Sequence, residues 1–316
     1  MCETTAGVYR TARALWPPSP KFSVDQIPDL TGRVTLVTGA NTGVGKETVK
    51  ALLNHNAKVY LAARSRSRAE AAIKDLKEAT GKDAIFLELD LGSLASVRRA
   101  AEEFLAKERA LHILFNNAGV MIPPIEQLTA DGYDLQFGTN VLGHWYFTEL
   151  LLPALREGAK SSPDGYARVV STSSSAAHLA KPIVWDAFRD HPARTKLGTI
   201  NLYAQSKLLN GVVMHEAAKR YKDANILCYA CDPGALKTDL QRHATPFQQK
   251  LADMVLHDAS YGALTQLWAG TMPETIQHNG QFCIPYARLG KTQAQMYDAE
   301  VGKRLWAYLE EQVKTK

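Results

Sequence analysis

The sequence predicts a single α/β domain with a doubly wound parallel sheet of about seven strands and helices on both faces. Short apolar runs alternate with helical patterns of about 10–15 residues along the 316-residue chain. A glycine-rich turn joins the first apolar run to the first helical pattern. No linker divides the chain after residue 30, so we expect one domain over residues 31–316 and an N-terminal arm over residues 1–30.

The predicted strands are apolar runs, rich in β-branched residues, that end near glycine or polar residues. They cover residues 33–38, 58–64, 84–90, 111–116, 167–173, 224–231 and 281–285. The predicted helices show apolar residues at helical spacing, as Val49, Leu52 and Leu53 do in the first. They cover residues 46–57, 67–80, 94–109, 132–156, a stretch around 203–221, 259–269 and 299–313.

Composition and charge exclude several classes of protein. The 37 basic and 32 acidic residues give a formal charge of +5 without a basic block, which argues against nucleic acid as a partner. No apolar run approaches the ~18 residues of a transmembrane segment. The chain has four cysteines, Cys2, Cys228, Cys231 and Cys283, too few for a disulfide framework in a chain this long. On a strand, Cys228 and Cys231 point to opposite faces, so we expect free thiols and a cytoplasmic location.

A glycine motif, Gly39-x-x-x-Gly43-x-Gly45, follows the first strand and opens the first helix. There the pyrophosphate of a dinucleotide can meet backbone N–H groups and the helix dipole. An ordinary glycine-rich turn is the alternative for the motif alone. Its position after the first strand favours binding.

The end of the second strand indicates which dinucleotide is bound. The chain reads Ala62-Ala63-Arg64 there, with no carboxylate to repel a 2′-phosphate. Arg64 can bind that phosphate, and Lys46 is a second candidate, although each is alternatively a solvated surface charge. The pattern favours NADP(H) over NAD(H). At the ends of the next strands, Asp90 is placed for the adenine and residues 116–119 for the rest of the cofactor.

Tyr203 and Lys207 are four residues apart on a predicted helix and therefore share one face. A cation beside a phenol lowers the pKa of the phenol from its usual value near 10. Such a tyrosine can act as an acid or base. The pair alone is weak evidence, because this spacing is usually just a helix face.

These motifs in this order resemble the short-chain dehydrogenase/reductase family over roughly residues 31–290. The matching residues are T-G-x-x-x-G-x-G at 38–45, N-N-A-G at 116–119, Asn140 before Val141-Leu142-Gly143, the serine cluster at 171–175, Tyr203 with Lys207, and Pro233-Gly234. Within the family the chain is similar to retinol-dehydrogenase-like and WW-domain-oxidoreductase-like enzymes, notably fungal ones. The resemblance implies a Rossmann-type fold.

The resemblance also implies a role for each matching position. Tyr203 is the expected acid/base, Ser174 binds the substrate oxygen, Asn140 holds a water, and Lys207 binds the nicotinamide ribose and lowers the Tyr203 pKa. The expected NADP(H)-binding residues are Gly39, Asn41, Thr42, Gly43, Val44, Gly45, Lys46, Arg64, Asp90, Leu91, Asn117, Ala118, Gly119, Tyr203, Lys207, Pro233, Gly234, Leu236 and Thr238. No metal site is expected. A homodimer through helices 132–156 and 203–221 is possible.

The chain departs from the family pattern on the substrate side. The 29 positions between Ser174 and Tyr203 indicate an inserted loop over residues 180–199, and Asp232 replaces a more usual Asn or His. Substrate loops are expected at residues 121–125, 175–200 and 236–257. The last contains an apolar stripe, Phe247, Leu251, Met254 and Val255, that is either a lid over the site or a face packed on the domain. His178 is expected to be a loop or surface histidine.

The sequence thus predicts an NADP(H)-dependent oxidoreductase acting on a small-molecule carbonyl or alcohol, with a lipophilic aldehyde or ketone as the expected substrate. Two alternatives remain open. One is a sensor or scaffold that binds NADP(H) without turnover. The other is a reductase of an activated C=C bond that uses the same tyrosine as its acid.

Overall fold

The computed structural model describes residues 7, 11, 16–236 and 257–315. Its eight strands are β1 (Val34–Thr38), β2 (Lys58–Ala63), β3 (Ile85–Glu88), β4 (Ile113–Asn116), β5 (Ala167–Thr172), β6 (Ile226–Cys231), β7 (Phe282–Ile284) and β8 (Arg288–Gly290). They form one sheet in the order β3-β2-β1-β4-β5-β6-β7-β8. All neighbouring pairs are parallel except β7 and β8. The predicted doubly wound parallel sheet is confirmed.

Strand β8 is an addition to the sequence prediction. It is three residues long and pairs antiparallel with β7 at the edge of the sheet. A strand this short has no periodic apolar pattern that could distinguish it from a turn.

The helices lie on both faces of the sheet. Their bounds are α1 (Gly43–Asn54), α2 (Arg66–Thr80), α3 (Leu94–Lys107), α4 (Leu135–Phe137, Gly138–Gly143 and His144–Ser161 in succession), α5 (Pro192–Leu197), α6 (Thr199–Arg220), α7 (Ala259–Thr271) and α8 (Ala299–Val313). Helices α3, α4, α6 and α8 contribute to one apolar core. Helices α1, α2 and α7 contribute to the other. No helix in the described ranges is long and apolar enough to span a membrane.

Alternate side chains of each central strand enter opposite cores, as the strand period of two requires. In β1, Leu36 enters the first core and Val37 the second. Cys228 and Cys231 likewise divide between the two cores, so their predicted separation is confirmed. Both thiols are free and buried.

The first part of the chain packs on the domain. Phe22, Ile27 and Leu30 are buried in the core that α1 covers, and the Leu30 N–H donates to the carbonyl of His55 at 2.7 Å. Residue 7 reaches the region after β5, where a Cβ on Gly7 would lie 2.6 Å from the carbonyl oxygen of His178. Residues 22–30 of the predicted arm are therefore built into the domain.

Helix α4 contains a π-helical turn at Gly138–Gly143. The helix begins at Leu135 rather than near residue 132, because the Asp134 carboxylate caps it by accepting from the N–H groups of Gln136 and Phe137. Gly143 packs against the loop that follows β3, since a Cβ on Gly143 would be 2.4 Å from the carbonyl oxygen of Leu91. The π turn places Asn140 toward the end of β4 and is of the kind found often at functional sites.

The C-terminal helix α8 packs across α4 and α6, the two helices on which a dimer was expected. Trp306 of α8 makes edge contacts with Trp145 of α4 at 5.6 Å and with Tyr221 at 5.8 Å between ring centroids. The guanidinium of Arg220 lies 4.6 Å from the Trp306 ring. Part of the face available on α4 and α6 is thus covered by the chain's own helix.

We expect Trp306→Ala to lower the free energy of unfolding by about 3–5 kcal/mol, because it removes a buried aromatic ring that contacts two other rings and a guanidinium group. Urea unfolding followed by circular dichroism measures the change. Leu105→Ala, on the partly exposed side of α3, is the control and should stay within about 0.5 kcal/mol of wild type. A W306A loss no larger than that of the control would contradict a docking role for α8.

Candidate active site

The carboxyl ends of β1, β4, β5 and β6 border a cleft of about 410 Å³. Most of the predicted site residues line it, although they come from distant parts of the chain. Those lining it are Gly39, Asn41, Thr42, Gly43, Val44, Gly45, Asn117, Ala118, Gly119, Ser174, Tyr203, Lys207, Pro233, Gly234 and Leu236. Open parallel sheets bind ligands at this edge.

Five predicted residues do not line the cleft. Lys46 is paired with Asp75 at 2.6 Å, and Arg64 is exposed beyond the end of β2. The Asp90 carboxylate accepts from the Gly92 N–H at 2.9 Å, and Leu91 is buried behind it. The fifth, Asn140, lies behind the loop after β4. Thr238 and the stripe at residues 247–255 lie outside the described residues.

Arg68 lines the cleft from the first turn of α2 and was not predicted. The available signal was its place in the first turn of the helix that follows the end of β2, close in sequence to the predicted Arg64. Of the other lining residues, Met121 belongs to the predicted loop 121–125 and Thr172, Ser173 and Ser175 belong to the serine cluster at 171–175, whereas Ala235 was not predicted.

The glycine turn brings the backbones of β1 and β4 into contact. Gly39 has a φ of +64°, and a Cβ there would lie 2.8 Å from Cα and Cβ of Ala118. A Cβ on Gly45 would lie 2.6 Å from Nδ2 of Asn117. Only glycine fits both positions. With α1 beginning at Gly43, its first N–H groups lie at the cleft, which suits an anion such as a pyrophosphate.

The hydroxyl of Thr38 connects the end of β1, the loop after β4 and α4. Its Oγ1 accepts from the N–H groups of Asn117 and Ala118, each at 3.0 Å. It also lies 2.9 Å from Nε2 of His144. The other ring nitrogen, Nδ1, lies 3.1 Å from the Asn140 carbonyl and must donate to it, because a carbonyl only accepts. Nε2 is therefore the acceptor, and Thr38 donates to a neutral imidazole.

Burial holds His144 in that neutral form. The ring is almost completely buried, and desolvation lowers its pKa to about 3.

Tyr203 and Ser174 meet at the cleft. The Ser174 side chain acts to lower the Tyr203 pKa, but burial outweighs this effect and raises that pKa to about 12. Nζ of Lys207 donates to the carbonyl of Thr172 at 2.9 Å and lies 5.8 Å from the Tyr203 ring centroid. The expected lowering of the Tyr203 pKa by Lys207 is therefore wrong for this structure, because desolvation dominates.

The Lys207 ammonium is fully enclosed, and burial lowers its pKa to about 8. The ammonium also lies beside Gly119, since a Cβ on that glycine would be 3.3 Å from Nζ. It thus reaches the floor of the cleft between β4 and α6.

The side chain of Asn140 forms hydrogen bonds with the loop after β4 and with α6. Its Oδ1 accepts from the Val120 N–H at 2.8 Å, and its Nδ2 donates to the Val120 carbonyl and to Ser206 Oγ, each at 3.0 Å. The structure therefore places this side chain as a brace between α4, α6 and the loop behind the cleft.

The predicted insertion has helical structure of its own. It contains a 3-10 turn at Trp185–Phe188 and helix α5. Phe188 stacks on Phe137 of α4 at 4.0 Å, and the buried Arg194 pairs with Asp134 at 3.5 Å. The insertion is thereby fixed to the start of α4.

Two substrate-side loops meet beside the cleft. Residues 122–125 line a second depression of about 520 Å³ together with Thr195, Gly198 and Thr199. The buried Gln136 connects the two loops by hydrogen bonds. Its Oε1 accepts from the Ile122 N–H and its Nε2 donates to the Thr199 carbonyl, each at 2.9 Å. Met121 of the same loop lines the main cleft.

The expectation of a surface position for His178 is wrong. The ring is buried, its Nδ1 lies 3.0 Å from Oγ1 of Thr292, and it makes an edge contact with Phe282. It has a packing role next to the short 3-10 turn after Ser174.

Comparisons with known proteins agree with this architecture. The family model described as short chain dehydrogenase matches residues 33–185. A short-chain dehydrogenase/reductase of Armillaria gallica is 58% identical over 95% of this chain and 96% of its own. Retinol dehydrogenase 11 of Mus musculus is 35% identical over 88% of this chain and 85% of its own. The Pseudomonas aeruginosa RhlG/NADP complex is 23% identical, with a TM-score of 0.66 over 82% of this chain and 96% of that one.

The buried His144 gives the domain a pH dependence with a defined sign. The His144 pKa is about 3 in the folded protein and ~6.5 in the unfolded chain. The contribution of His144 to the free energy of unfolding is therefore fully present above pH ~6.5 and is lost as pH falls. Between pH 7 and pH 5 we expect a loss of about 2 kcal/mol in the free energy of unfolding.

Urea unfolding at both pH values measures this loss, and His144→Gln should remove most of it. His191→Gln, which removes an exposed histidine at the start of α5, is the control and should keep the wild-type difference. Equal pH dependence in all three proteins would show that His144 is not the group responsible.

Proposed function

Because this chain belongs to the short-chain dehydrogenase/reductase family, we propose that it transfers a hydride between NADP(H) and a carbonyl/alcohol pair, with Tyr203 as the proton donor. One observation carries the proposal. The side chains of Ser174 and Tyr203 interact in the same cleft into which the glycine turn opens, and Lys207 is buried beneath them. A nucleotide and a reacting oxygen would thus share one volume.

The residues of the cleft fit a dinucleotide. Gly39 and Gly45 leave open the space that a Cβ would fill, and the N-terminus of α1 faces the same space. The Pro233–Gly234 loop lines the cleft close to Tyr203 and Lys207, where a nicotinamide would lie. The bound cofactor would supply the hydride, and the protein would supply binding, orientation and the proton.

The edge of the cleft favours the phosphorylated cofactor. Arg68 lines it, and Arg64 stands four residues earlier in the sequence, beside the end of β2. Two guanidinium groups there suit the 2′-phosphate of NADP(H), whereas β2 ends in Ala63 without a carboxylate. The structurally similar RhlG complex contains NADP, which supports the choice.

The protonation state of Tyr203 favours reduction. With a pKa raised to about 12, the phenol is protonated at neutral pH and can act as an acid. As the carbonyl carbon receives a hydride, the phenol proton passes to the carbonyl oxygen and an alcohol forms. The Ser174 hydroxyl can donate to that oxygen and stabilise its developing negative charge.

The lining of the substrate side favours an apolar carbonyl compound. Met121 lines the cleft, and the neighbouring depression is lined by Ile122, Pro123, Pro124 and Ile125. Ile122 and the nearby Ile200 are both exposed. Apolar surface of this kind gains free energy when a lipophilic aldehyde or ketone covers it.

Both alternatives predict a different outcome. A sensor or scaffold would bind NADPH without consuming it, and it has no need of the Ser174–Tyr203 pair. A reductase of an activated C=C bond would leave the carbonyl group intact in its product. Identification of the product by mass spectrometry separates the three.

We expect Tyr203→Phe to lower kcat for NADPH-dependent reduction of apolar aldehydes and ketones by about 10²–10⁴-fold, because general acid catalysis contributes about that much. The NADPH dissociation constant, measured by fluorescence, should change less than about threefold, since the ring is retained. Tyr166→Phe, on the opposite, amino end of β5, is the control. A Y203F enzyme with near wild-type turnover would refute the assignment.

We expect Arg68→Ala to raise KM for NADPH by about 10-fold and the double change with Arg64→Ala by more, because each charge-assisted hydrogen bond is worth about 1.5–3 kcal/mol. KM for NADH should stay unchanged. Arg66→Ala is the matched control, because Arg66 lies between the two and faces Glu70 and Glu88 instead. Equal effects on NADPH and NADH would contradict 2′-phosphate recognition.

A further inference from the structure

Asp232 is a fully buried carboxylate immediately after β6, next to the cleft-lining Pro233. Its Oδ1 accepts from the Gly234 N–H at 2.9 Å, and the backbone N–H of Ser175 also faces the carboxylate. Its Oδ2 is buried without a hydrogen-bond partner among the described residues. A buried, incompletely satisfied carboxylate is costly, so its presence needs an explanation.

The two backbone groups belong to different functional loops. Ser175 follows Ser174 in the loop after β5, whereas Gly234 belongs to the Pro233–Gly234 loop that lines the cleft. One carboxylate thus lies between the loop that holds the substrate oxygen and the loop expected at the nicotinamide.

Two of the titratable groups that act on Asp232 or respond to it, Lys207 and Tyr203, line the cleft. The Lys207 ammonium on α6 acts on the carboxylate with opposite charge, and Asp232 in turn acts on Tyr203. The neighbouring thiol of Cys231 also responds to it. Burial raises the pKa of Asp232 to about 6, so the carboxylate is charged at neutral pH.

We propose that Asp232 is a positioning residue for this active site, whose carboxylate fixes the Ser174 loop against the Pro233–Gly234 loop and places a buried negative charge beside Lys207 and Tyr203. This inference rests on the proposed function. The charge opposes ionisation of the Tyr203 phenol and favours the Lys207 ammonium. It therefore adds to the desolvation that keeps the tyrosine in its acid form, which favours carbonyl reduction over alcohol oxidation.

The main test is the pH profile of Asp232→Asn, which keeps the shape of the side chain and removes its charge. Without the anion the pKa values of Lys207 and Tyr203 fall. Because the Lys207 pKa, about 8, is the lower of the two, loss of the ammonium charge sets the alkaline limb of the NADPH-dependent reduction, which should move to lower pH. With rates normalised at pH 7, we expect D232N to retain about threefold to tenfold less activity than wild type at pH 9. A merely structural role would scale the whole profile without moving it.

Glu149→Gln is the matched control. Glu149 is another largely buried carboxylate with a raised pKa, but it faces Tyr221 between α4 and α6, away from the cleft. E149Q should keep the wild-type pH profile. An alkaline limb that is the same in D232N, E149Q and wild type would overturn the role of the charge.

A second measurement requires no turnover. The folded pKa of Asp232, about 6, is raised above its unfolded value of ~3.9, so the contribution of this carboxyl to wild-type stability is lost as pH rises from about 4 to 6. The melting temperature of D232N relative to wild type should therefore increase across that interval. A constant difference would show that the carboxylate is not the buried charge we describe.

The loop-fixing role is tested by ligand binding. Asp232→Ala removes both acceptors, and we expect its NADPH dissociation constant to rise about 10-fold, whereas D232N should stay within about threefold of wild type. Equal NADPH affinities of D232A and D232N would contradict the loop-fixing role of Asp232. If wild type turns over no carbonyl substrate, the proposed function fails, while the stability and binding series still decide the role of Asp232.

Discussion

The active site depends on one hydroxyl, that of Thr38, which fixes the end of β1 to the loop after β4. Thr38 accepts two backbone N–H groups from that loop and donates to the neutral His144. His144 in turn holds the carbonyl of Asn140 in the π turn of α4. A change at any member therefore moves the glycine turn, the loop behind the cleft and α4 together. Burial of His144 strengthens this arrangement, because a charged imidazole could no longer accept the Thr38 proton.

The buried side-chain amide of Gln266 supports the carboxyl edge of the sheet from the opposite face. Oε1 of Gln266 on α7 accepts from the Thr172 hydroxyl at 2.8 Å, and its Nε2 lies 2.6 Å from the Thr48 hydroxyl on α1. Thr172 also supplies the carbonyl that binds Lys207. The position of the ammonium is thus set by β5, whose end is held from both faces of the sheet. Such fully connected polar networks fix the geometry more sharply than apolar packing alone.

The sequence was sufficient for the sheet and for most of the cleft, because apolar periodicity and the glycine motif are local signals that topology then brings together. It could not predict the protonation of Tyr203. That state depends on how completely the tertiary structure excludes water, which residue spacing does not contain. The spacing rule for a Tyr/Lys pair assumes that the nearest cation decides, whereas here Lys207 is turned to a backbone carbonyl. The contact between Thr38 and His144 was missed for a related reason, since the two residues are 106 positions apart.

Burial shifts the pKa values of Asp232, Lys207 and Tyr203 in the same sense, toward the neutral form of each group. Desolvation raises the pKa of Asp232 to about 6, lowers that of Lys207 to about 8 and raises that of Tyr203 to about 12. Each shift favours the neutral form, yet near pH 7 the first two groups are still charged and only the phenol is neutral. The anion and the cation therefore compensate each other inside the protein, while the phenol retains its proton. A site of this kind holds a proton ready for an incoming carbonyl oxygen, at the cost of keeping a carboxylate where water cannot reach it.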